Sequence, residues 1–294
     1  MEQLYLELLK KSLLGELYWE NEVRLLYLRD CLEGRDQYSP ETLLRIDEAR
    51  RPFCERYREL NRTGRFVDDR EEKLGFQHTM IGRLRLENVA ACLERIRQDD
   101  VPGDLIECGV WRGGAAIFMR GYLKAYGITD RIVWVADSFA GLPPPSLPQD
   151  EGLDLSAAKY PMLAISLATV RDLFARYDLL DDQVRFLEGW FKDTLPQAPM
   201  ARLALLRIDG DLYESTWDAL SALYWKLSAG GFAIVDDYYC ILACRQAVDD
   251  YREREKITDP LERIDWTGVF WQKASTAARS FGTGSRNSGL CRSK

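Results

Sequence analysis

The stretch LALLRIDGDLYEST (residues 203–216) begins as a nearly continuous apolar run and then ends abruptly in two aspartates. A second stretch, GFAIVDDYY (residues 231–239), repeats this pattern. Such apolar runs are typical of strands that are buried on both faces of a parallel sheet. Because a carboxylate that leaves water needs a partner, the acids at these strand ends predict a bound positive group.

From residue 104 onward, the chain alternates short apolar runs with segments of helical periodicity. Strands that alternate with helices form βαβ units and a mostly parallel sheet. Besides the strands at 203–209 and 231–237, we predict strands at 104–110, 131–137 and 183–189, and two short final strands at 261–265 and 268–273. The predicted fold class is therefore α/β, with helices on both faces of the sheet.

Three regions are predicted along the chain. Residues 1–78 form a helical extension, residues 79–273 hold the α/β domain, and the small, polar and basic tail at 274–294 is expected to be disordered. In the extension, Leu6, Leu9, Leu13 and Leu17 recur on one helical face. This face predicts a helix that packs on the α/β domain or forms a contact in a homo-oligomer.

The composition is that of an ordinary globular protein, with 46% hydrophobic residues, 30% charged residues and a net charge of −7. The negative charge argues against nucleic acid as the main partner. The chain contains no run of eighteen apolar residues, so a membrane span is not expected. The acidic N-terminus lacks the features of a signal peptide. The seven cysteines are scattered and form no Cys-x-x-Cys pair. This pattern indicates reduced thiols, and we therefore expect a cytoplasmic protein.

The stretch ECGVWRGGA (residues 107–115) joins the first α/β strand to a helix. Gly109 allows a sharp turn, and Gly113 with Gly114 is expected to let a ligand approach the start of the helix. Trp111 stands where a dinucleotide-binding fingerprint has its second glycine and would crowd a pyrophosphate. The pattern therefore favours S-adenosylmethionine, with Glu107 near its ammonium group; a tight turn without a ligand is the alternative.

The ends of the second and third strands supply further candidate cofactor residues, which are Asp137, Ser138, Gly189 and Trp190. Asp137 follows Gly109 by 28 positions, where an acid can accept both hydrogen bonds of a ribose diol. Its alternative role is to cap a turn, because Ser138 and the residues after it can start one. Gly189 and Trp190 follow the third strand, where the indole could flank an adenine or simply belong to the core.

The acids after the fourth and fifth strands predict a metal site. Asp209 and Asp211 project to one side if the chain is still extended there, whereas Asp236 and Asp237 converge only if the backbone leaves the strand. Four neighbouring carboxylates raise one another's pKa values unless a cation is present. Oxygen ligands suit Mg²⁺ first, with Mn²⁺ or Ca²⁺ behind it. His78 is the single histidine, which removes most histidine-ligated schemes; helix capping, for example by Asp211, is the alternative.

These motifs resemble the macrocin O-methyltransferase family, whose members methylate deoxysugar hydroxyls of macrolide or aminocoumarin antibiotics. The resemblance spans roughly residues 1–273 and implies a class I methyltransferase fold with seven strands, the last of them antiparallel. It also implies lid segments within 1–80 and 139–160. It rests on LYLELLKKSL, TMIGRLRLENV, VPGDLIECGVWRGGAAIFMRG, VWVADSFAGLP, LLRIDGDLYEST, GGFAIVDDYY and IDWTGVFWQK.

The resemblance also implies roles for individual residues. The metal acids of the family match Asp209, Asp236 and Asp237. One of these acids, with Asp209 as the first choice, is the catalytic base of the family, and the role of Asp211 is not separable from it by sequence. The cofactor motif of the family matches Glu107, Gly109 and Asp137.

The expected function is therefore an S-adenosylmethionine- and magnesium-dependent O-methyltransferase that acts on a sugar hydroxyl of a small glycosylated natural product or a glycan. A bound cation would make that hydroxyl more acidic, and Asp209 or Asp211 would accept its proton. Alternatives are a catechol-type O-methyltransferase, a nicotinamide-dependent oxidoreductase, and a non-catalytic module that binds a sugar or a partner chain.

Overall fold

The computed structural model describes residues 1–65 and 77–274 of the chain. The sheet strands of this part are β1 Asp104–Cys108, β2 Val133–Asp137, β3 Val184–Glu188, β4 Leu203–Ile208, β5 Leu227–Val235, β6 Glu262–Arg263 and β7 Val269–Gln272. They form one sheet of seven strands in the order β3-β2-β1-β4-β5-β7-β6. β7 runs antiparallel to both of its neighbours, whereas the pairs among β1 to β5 are parallel. The predicted fold is confirmed.

Helices cover both faces of the sheet. Their bounds are α1 Glu2–Leu13, α2 Trp19–Leu32, α3 Pro40–Leu44, α4 Ile46–Ala49, α5 Arg51–Thr63, α6 Gly82–Gln98, α7 Gly114–Ala125, α8 Leu167–Arg176, α9 Phe191–Thr194, α10 Tyr213–Leu223 and α11 Leu242–Arg254. The two-residue period of each strand sorts its side chains between the faces. Leu105 packs with α1, α6, α7 and α8, whereas the next residue, Ile106, packs with α10 and α11.

The N-terminal helix α1 shares the core of the sheet. Leu6, Leu9 and Leu13 are buried in the same cluster as β1, and Leu9 packs so closely on α7 that a Cβ at Gly121 would lie 2.3 Å from its Cδ2. The expectation that Leu17 joins this face is wrong. α1 ends at Leu13, so Leu17 leaves the helical register and remains 40% exposed.

A second, smaller cluster lies beside the main core. It is built by α2, α4 and α5 from Val23, Leu26, Tyr27, Ile46, Cys54 and Tyr57. The helical extension therefore divides its contacts: α1 packs on α7 and α5 packs on α6 of the α/β domain, whereas α2 packs on α4.

Some element boundaries differ from the predictions. The apolar residues Leu220, Leu223, Tyr224 and Leu227 predict one helix, but α10 ends at Leu223 and β5 already begins at Leu227. An apolar run reads equally well as a buried helix or a strand, and here pairing of Leu227 with Leu203 decides for the strand. The apolar stripe of Leu86, Val89, Ala90 and Leu93 predicts a helix from Thr79 onward, whereas the observed helix α6 begins at Gly82.

Other predictions concern the ends of the chain and the membrane. The tail from Ser275 onward, including Cys291, and residues 66–76 within the predicted lid lie outside the described residues. Within 1–65 and 77–274, no helix is both long and apolar enough to cross a bilayer.

Candidate functional site

The carboxyl ends of β1 to β4 open into a cavity of about 310 Å³. The strand order reverses between β1 and β4, which is where open α/β sheets bind their ligands. One part of the wall comes from the predicted cofactor residues Gly109, Asp137, Ser138, Gly189 and Trp190, and another from Asp209, Gly210 and Asp211. The fold therefore brings these five cofactor candidates and two of the acids to one cavity.

Gly109 lies where the ends of β1 and β4 almost touch. Its φ is +86°, and a Cβ built on it would lie only 1.8 Å from the backbone oxygen of Asp209. Only glycine fits both the left-handed backbone and this close approach. The turn predicted at Gly109 thus brings the end of the cofactor strand against the end of the acidic strand.

Gly113 and Gly114 do not face a ligand, contrary to the expectation. A Cβ at Gly113 would lie 2.9 Å from Cγ1 of Val170 in α8, and one at Gly114 would lie 2.3 Å from the backbone oxygen of His78. Neither glycine lines the cavity. They allow other parts of the chain to approach the start of α7, a role that their position beside a strand end does not reveal.

Asp137 connects the end of β2 to the turn after β1. Its carboxylate accepts hydrogen bonds from the backbone N–H groups of Val110 and Phe139, both at 2.8 Å. Burial raises the pKa of Asp137, and these backbone N–H donors oppose the shift. Ser138 donates from Oγ to the backbone oxygen of Gly141 at 2.5 Å. Asp137 therefore caps a turn, which was its alternative role, and also lines the cavity.

Glu107 lies beneath the cavity rather than on its wall. The side chain is 2% exposed, Oε2 accepts from the backbone N–H of Ala116 at 2.8 Å, and Oε1 accepts from Nη1 of Arg207 at 2.7 Å. Burial raises the pKa of Glu107 to about 8, although Arg207 opposes the shift. The structure thus directs both carboxylate oxygens at groups of the protein.

Two tryptophans line the cavity. Trp190 is half-buried at the start of α9, so it is not a fully buried core residue. Trp111 has a φ of +47°, and its indole Nε1 donates to the backbone oxygen of Met162 at 2.9 Å. The residue that interrupts the dinucleotide fingerprint therefore anchors the segment that follows β2.

The segment that follows β2 crosses to the start of α10. Asp150, which is fully buried, accepts hydrogen bonds from the backbone N–H groups of Tyr213 at 2.6 Å and Glu214 at 3.2 Å. Ser146 donates from Oγ to Oε2 of Glu214 at 2.6 Å. Because α10 has no side-chain cap of its own at its first turn, Asp150 supplies that cap from 63 residues away. The proline-rich sequence GLPPPSLPQDEG (residues 141–152), which contains Asp150, did not by itself indicate this role.

Three of the four acids converge beside the cavity. Asp209, Asp236 and Asp237 each place a carboxylate oxygen within 4.8 Å of the other two. β5 ends at Val235, so the backbone has left the strand at both adjacent aspartates. The chain is no longer extended at Asp211, contrary to the prediction, because β4 ends at Ile208 and Asp211 has a φ of +55°.

The acids perturb one another electrostatically. Burial, followed by the charge of Asp236, raises the pKa of Asp209 to about 6. Burial and the charges of Asp209 and Asp236 raise the pKa of Asp211 to about 8. Burial and the neighbouring acids also raise the pKa of Asp237. Burial is the largest cause of all three shifts, and repulsion between the neighbouring carboxylates adds to it.

Two buried arginines, which the sequence interpretation missed, neutralise part of this charge. Arg207 donates to Glu107, to Asp209 at 3.0 Å and to Asp236. Burial lowers the pKa of Arg207, but the charges of these three acids outweigh that effect and raise it. A charged residue inside the apolar run of β4 was the available signal. Arg85 of α6 also donates to Asp236, and no comparable signal marked it.

The sequence profile described as Macrocin-O-methyltransferase (TylF) matches residues 2–273. The chain belongs to the macrocin O-methyltransferase family. The predicted family, its fold and its enzyme class are confirmed, so this chain is an S-adenosylmethionine-dependent O-methyltransferase. That assignment excludes the two alternatives of a nicotinamide-dependent oxidoreductase and a non-catalytic module.

Individual relatives agree with the family assignment. The chain is 56% identical over 211 residues to a tetracenomycin-C 4'-O-methyltransferase of Streptomyces olivaceus, named for an 8-demethyl-8-(2,3-dimethoxy-α-L-rhamnosyl) form, and this covers 69% of the chain and 78% of the relative. It is 55% identical over 202 residues to the mycinamicin III 3''-O-methyltransferase of Micromonospora griseorubida, covering 67% and 79%. The solved O-methyltransferase NovP superposes with a TM-score of 0.76 and 44% identity, covering 94% of this chain and all of NovP.

The acidic cluster of this family member fits a hard divalent cation. Its three converging groups, Asp209, Asp236 and Asp237, offer carboxylate oxygens, which are the ligands that Mg²⁺ prefers. Oδ2 of Asp237 is buried and has no hydrogen-bond partner among the described residues. A buried carboxylate oxygen without a partner is costly, and a bound cation would satisfy it.

Proposed function

We propose that this enzyme transfers the methyl group of S-adenosylmethionine to a sugar hydroxyl of a glycosylated natural product, with Mg²⁺ held by Asp209, Asp236 and Asp237. The observation that carries the metal assignment is the buried, unpaired Oδ2 of Asp237 within the converging triad. The acceptor class is supported by the relatives, which are named for methylation of a rhamnosyl tetracenomycin and of mycinamicin III.

The cofactor site is proposed for the wall formed by the ends of β1, β2 and β3. Asp137 would accept hydrogen bonds from the ribose hydroxyls, with Ser138 beside it. Gly189 and Trp190 would lie against the adenine, where the indole offers an apolar face. Glu107 would support the ammonium end from below, since its oxygens hold Arg207 and the first turn of α7.

The proposed reaction is an in-line displacement. The acceptor oxygen attacks the methyl carbon, the bond from that carbon to sulfur breaks, S-adenosylhomocysteine leaves, and the hydroxyl proton passes to a carboxylate. Bound Mg²⁺ would supply Lewis-acid activation of the acceptor hydroxyl. The side chains of the site would orient the acceptor near the methyl donor, and one of its carboxylates would remove the proton of the acceptor hydroxyl.

Asp211 is the better placed of the two candidate bases. Both Asp209 and Asp211 line the cavity, but Asp209 accepts a hydrogen bond from Arg207 and belongs to the triad, whereas Asp211 has no hydrogen-bond or ion-pair partner among the described residues. The raised pKa of Asp211, about 8, suits a group that accepts a proton near neutral pH. A positioned base of this kind contributes roughly 10²–10⁴-fold to the rate.

The decisive variant is Asp237→Asn, because it keeps the side-chain shape and removes the charge from the unpaired oxygen. Turnover with a panel of glycosylated acceptors should fall by at least about 10²-fold, while S-adenosylhomocysteine affinity measured by calorimetry stays within about threefold. Asp130→Asn, whose side chain is 75% exposed, is the matched control and should behave as the parent.

Three outcomes would contradict the proposal. Parent-like turnover of Asp237→Asn, or of the parent enzyme in excess chelator, would remove the metal from the mechanism. Methyl transfer to catechols but to no glycoside in the same panel would replace the sugar acceptor with a catechol, whose vicinal oxygens also chelate a divalent cation.

A further inference from the structure

The carboxylate of Asp236 is held on both of its oxygens by arginines. Oδ1 accepts from Nη2 of Arg207, and Oδ2 accepts from Nη1 of Arg85. The two guanidinium groups and the carboxylate are at most 5% exposed. Within the triad this arrangement contrasts with Asp237, whose Oδ2 has no hydrogen-bond partner among the described residues.

Arg85 reaches Asp236 from a distant part of the chain. It lies in α6, 151 residues before Asp236, and does not line the cavity. Its guanidinium also packs against Gly64 at the end of α5, where a Cβ would lie 2.4 Å from Nη2. The backbone of the helical extension thus leaves just enough space for this side chain.

Asp265 holds Arg85 from the other side. Its Oδ2 accepts from Nε of Arg85 at 3.1 Å, and its Oδ1 accepts from the backbone N–H groups of Thr267 at 2.9 Å and Gly268 at 2.8 Å. The Asp265 side chain is 1% exposed. The turn between β6 and β7 therefore fixes Asp265, which fixes Arg85.

The same turn also touches the backbone of the metal acid. Thr267 donates from Oγ1 to the backbone oxygen of Asp236 at 2.9 Å. Asp236 is therefore held at its side chain by Arg85, which the β6–β7 turn fixes through Asp265, and at its main chain by Thr267 of the same turn. A ligand that is fixed in this way loses little conformational freedom when a cation binds.

We propose, on the basis of the metal site proposed above, that Arg85 and Asp265 are positioning residues that hold the carboxylate of Asp236 in place for the divalent cation. Neither residue contacts the cavity. They act by holding a metal ligand in its orientation, as the hydrogen-bond partners of metal ligands do in other proteins. The planar guanidinium is suited to this task because it presents donors to two carboxylates at once, which a lysine cannot do with the same geometry.

The test uses Mn²⁺ as a spectroscopic probe that shares the oxygen-ligand preference of Mg²⁺. Electron paramagnetic resonance gives the Kd for Mn²⁺, and calorimetry gives the Kd for S-adenosylhomocysteine. Arg85→Lys and Asp265→Asn should each weaken Mn²⁺ binding by about 10–100-fold, which is typical when a partner of a metal ligand is lost. Affinity for S-adenosylhomocysteine should change by less than about threefold, because neither residue lines the cavity.

Arg83→Lys is the matched control. Arg83 lies on the same helix but pairs with Glu7 and Glu16 of the extension rather than with the triad. It should leave Mn²⁺ affinity unchanged. Circular dichroism and the Tm verify folding; if one test variant fails to fold, the other decides.

Each outcome has a definite meaning. Parent-like Mn²⁺ affinity in a folded Arg85→Lys or Asp265→Asn variant overturns the positioning role, as does equal weakening of Mn²⁺ and S-adenosylhomocysteine binding. If the parent enzyme binds no Mn²⁺, the metal site and this inference both fail. If it binds Mn²⁺ but methylates no glycoside, the proposed acceptor fails while the positioning role stands.

Discussion

Gly109→Ala should disturb the acidic cluster through the backbone. A methyl group at this position would meet the backbone oxygen of Asp209 at 1.8 Å, whereas real Cβ atoms essentially never approach closer than 3.0 Å. The ends of β1 and β4 must therefore separate by at least 1.2 Å, the difference between these two distances. Asp209 belongs to the converging triad, so this separation displaces a proposed metal ligand.

Two penalties add up in this variant. The left-handed backbone at Gly109 costs a non-glycine residue about 1–2 kcal/mol, and overpacking adds about 1–3 kcal/mol. We expect the free energy of unfolding to fall by about 2–5 kcal/mol. A misplacement of about 1 Å in a catalytic constellation costs about 10²-fold, so kcat/KM should fall at least that far.

The assay compares Gly109→Ala with Gly127→Ala by urea denaturation and by methyl transfer. Gly127 also has a positive φ, +64°, but a Cβ there would have nothing within 4 Å. It should show only the backbone penalty of about 1–2 kcal/mol and normal turnover. If both variants lose the same stability and Gly109→Ala keeps parent-like kcat/KM, the tight contact between the two strand ends does not support the site.

Two further perturbations test the site. Asp150→Asn removes the charged cap from the first turn of α10, so stability should fall by about 0.5–2 kcal/mol and S-adenosylhomocysteine should bind a few-fold more weakly; unchanged affinity in calorimetry would separate this contact from the cavity. The pKa values of Asp209, about 6, and Asp211, about 8, lie above the value of 3.8 expected for an exposed aspartate. The folded, metal-free chain thus retains protons that the unfolded chain has lost, and its Tm in chelator should fall as the pH rises from about 5 to about 8. Mg²⁺ binds the ionised carboxylates and should reduce that fall, so identical pH profiles of Tm with and without Mg²⁺ would argue against the metal site.

Local patterns in the sequence were sufficient for the sheet and for the part of the cavity wall that directly follows the strand ends. The strand before Asp137 and the strand before Gly189 are recognisable from apolar runs, and both residues line the cavity as expected. Parallel strands place their carboxyl ends at one edge, so acids that follow separate strands meet without any knowledge of the tertiary structure. The convergence of Asp209, Asp236 and Asp237 was predictable for this reason.

The partners of these residues depended on contacts between distant parts of the chain. Arg85 meets Asp236 across 151 positions, and Asp150 caps α10 across 63 positions. Gly113 faces Val170 instead of a ligand because α8 packs over it. Apolar period and strand ends are properties of neighbouring residues, and the sequence by itself determines them. Which side chain neutralises a buried carboxylate depends on which surfaces pack together, and only the tertiary structure decides that.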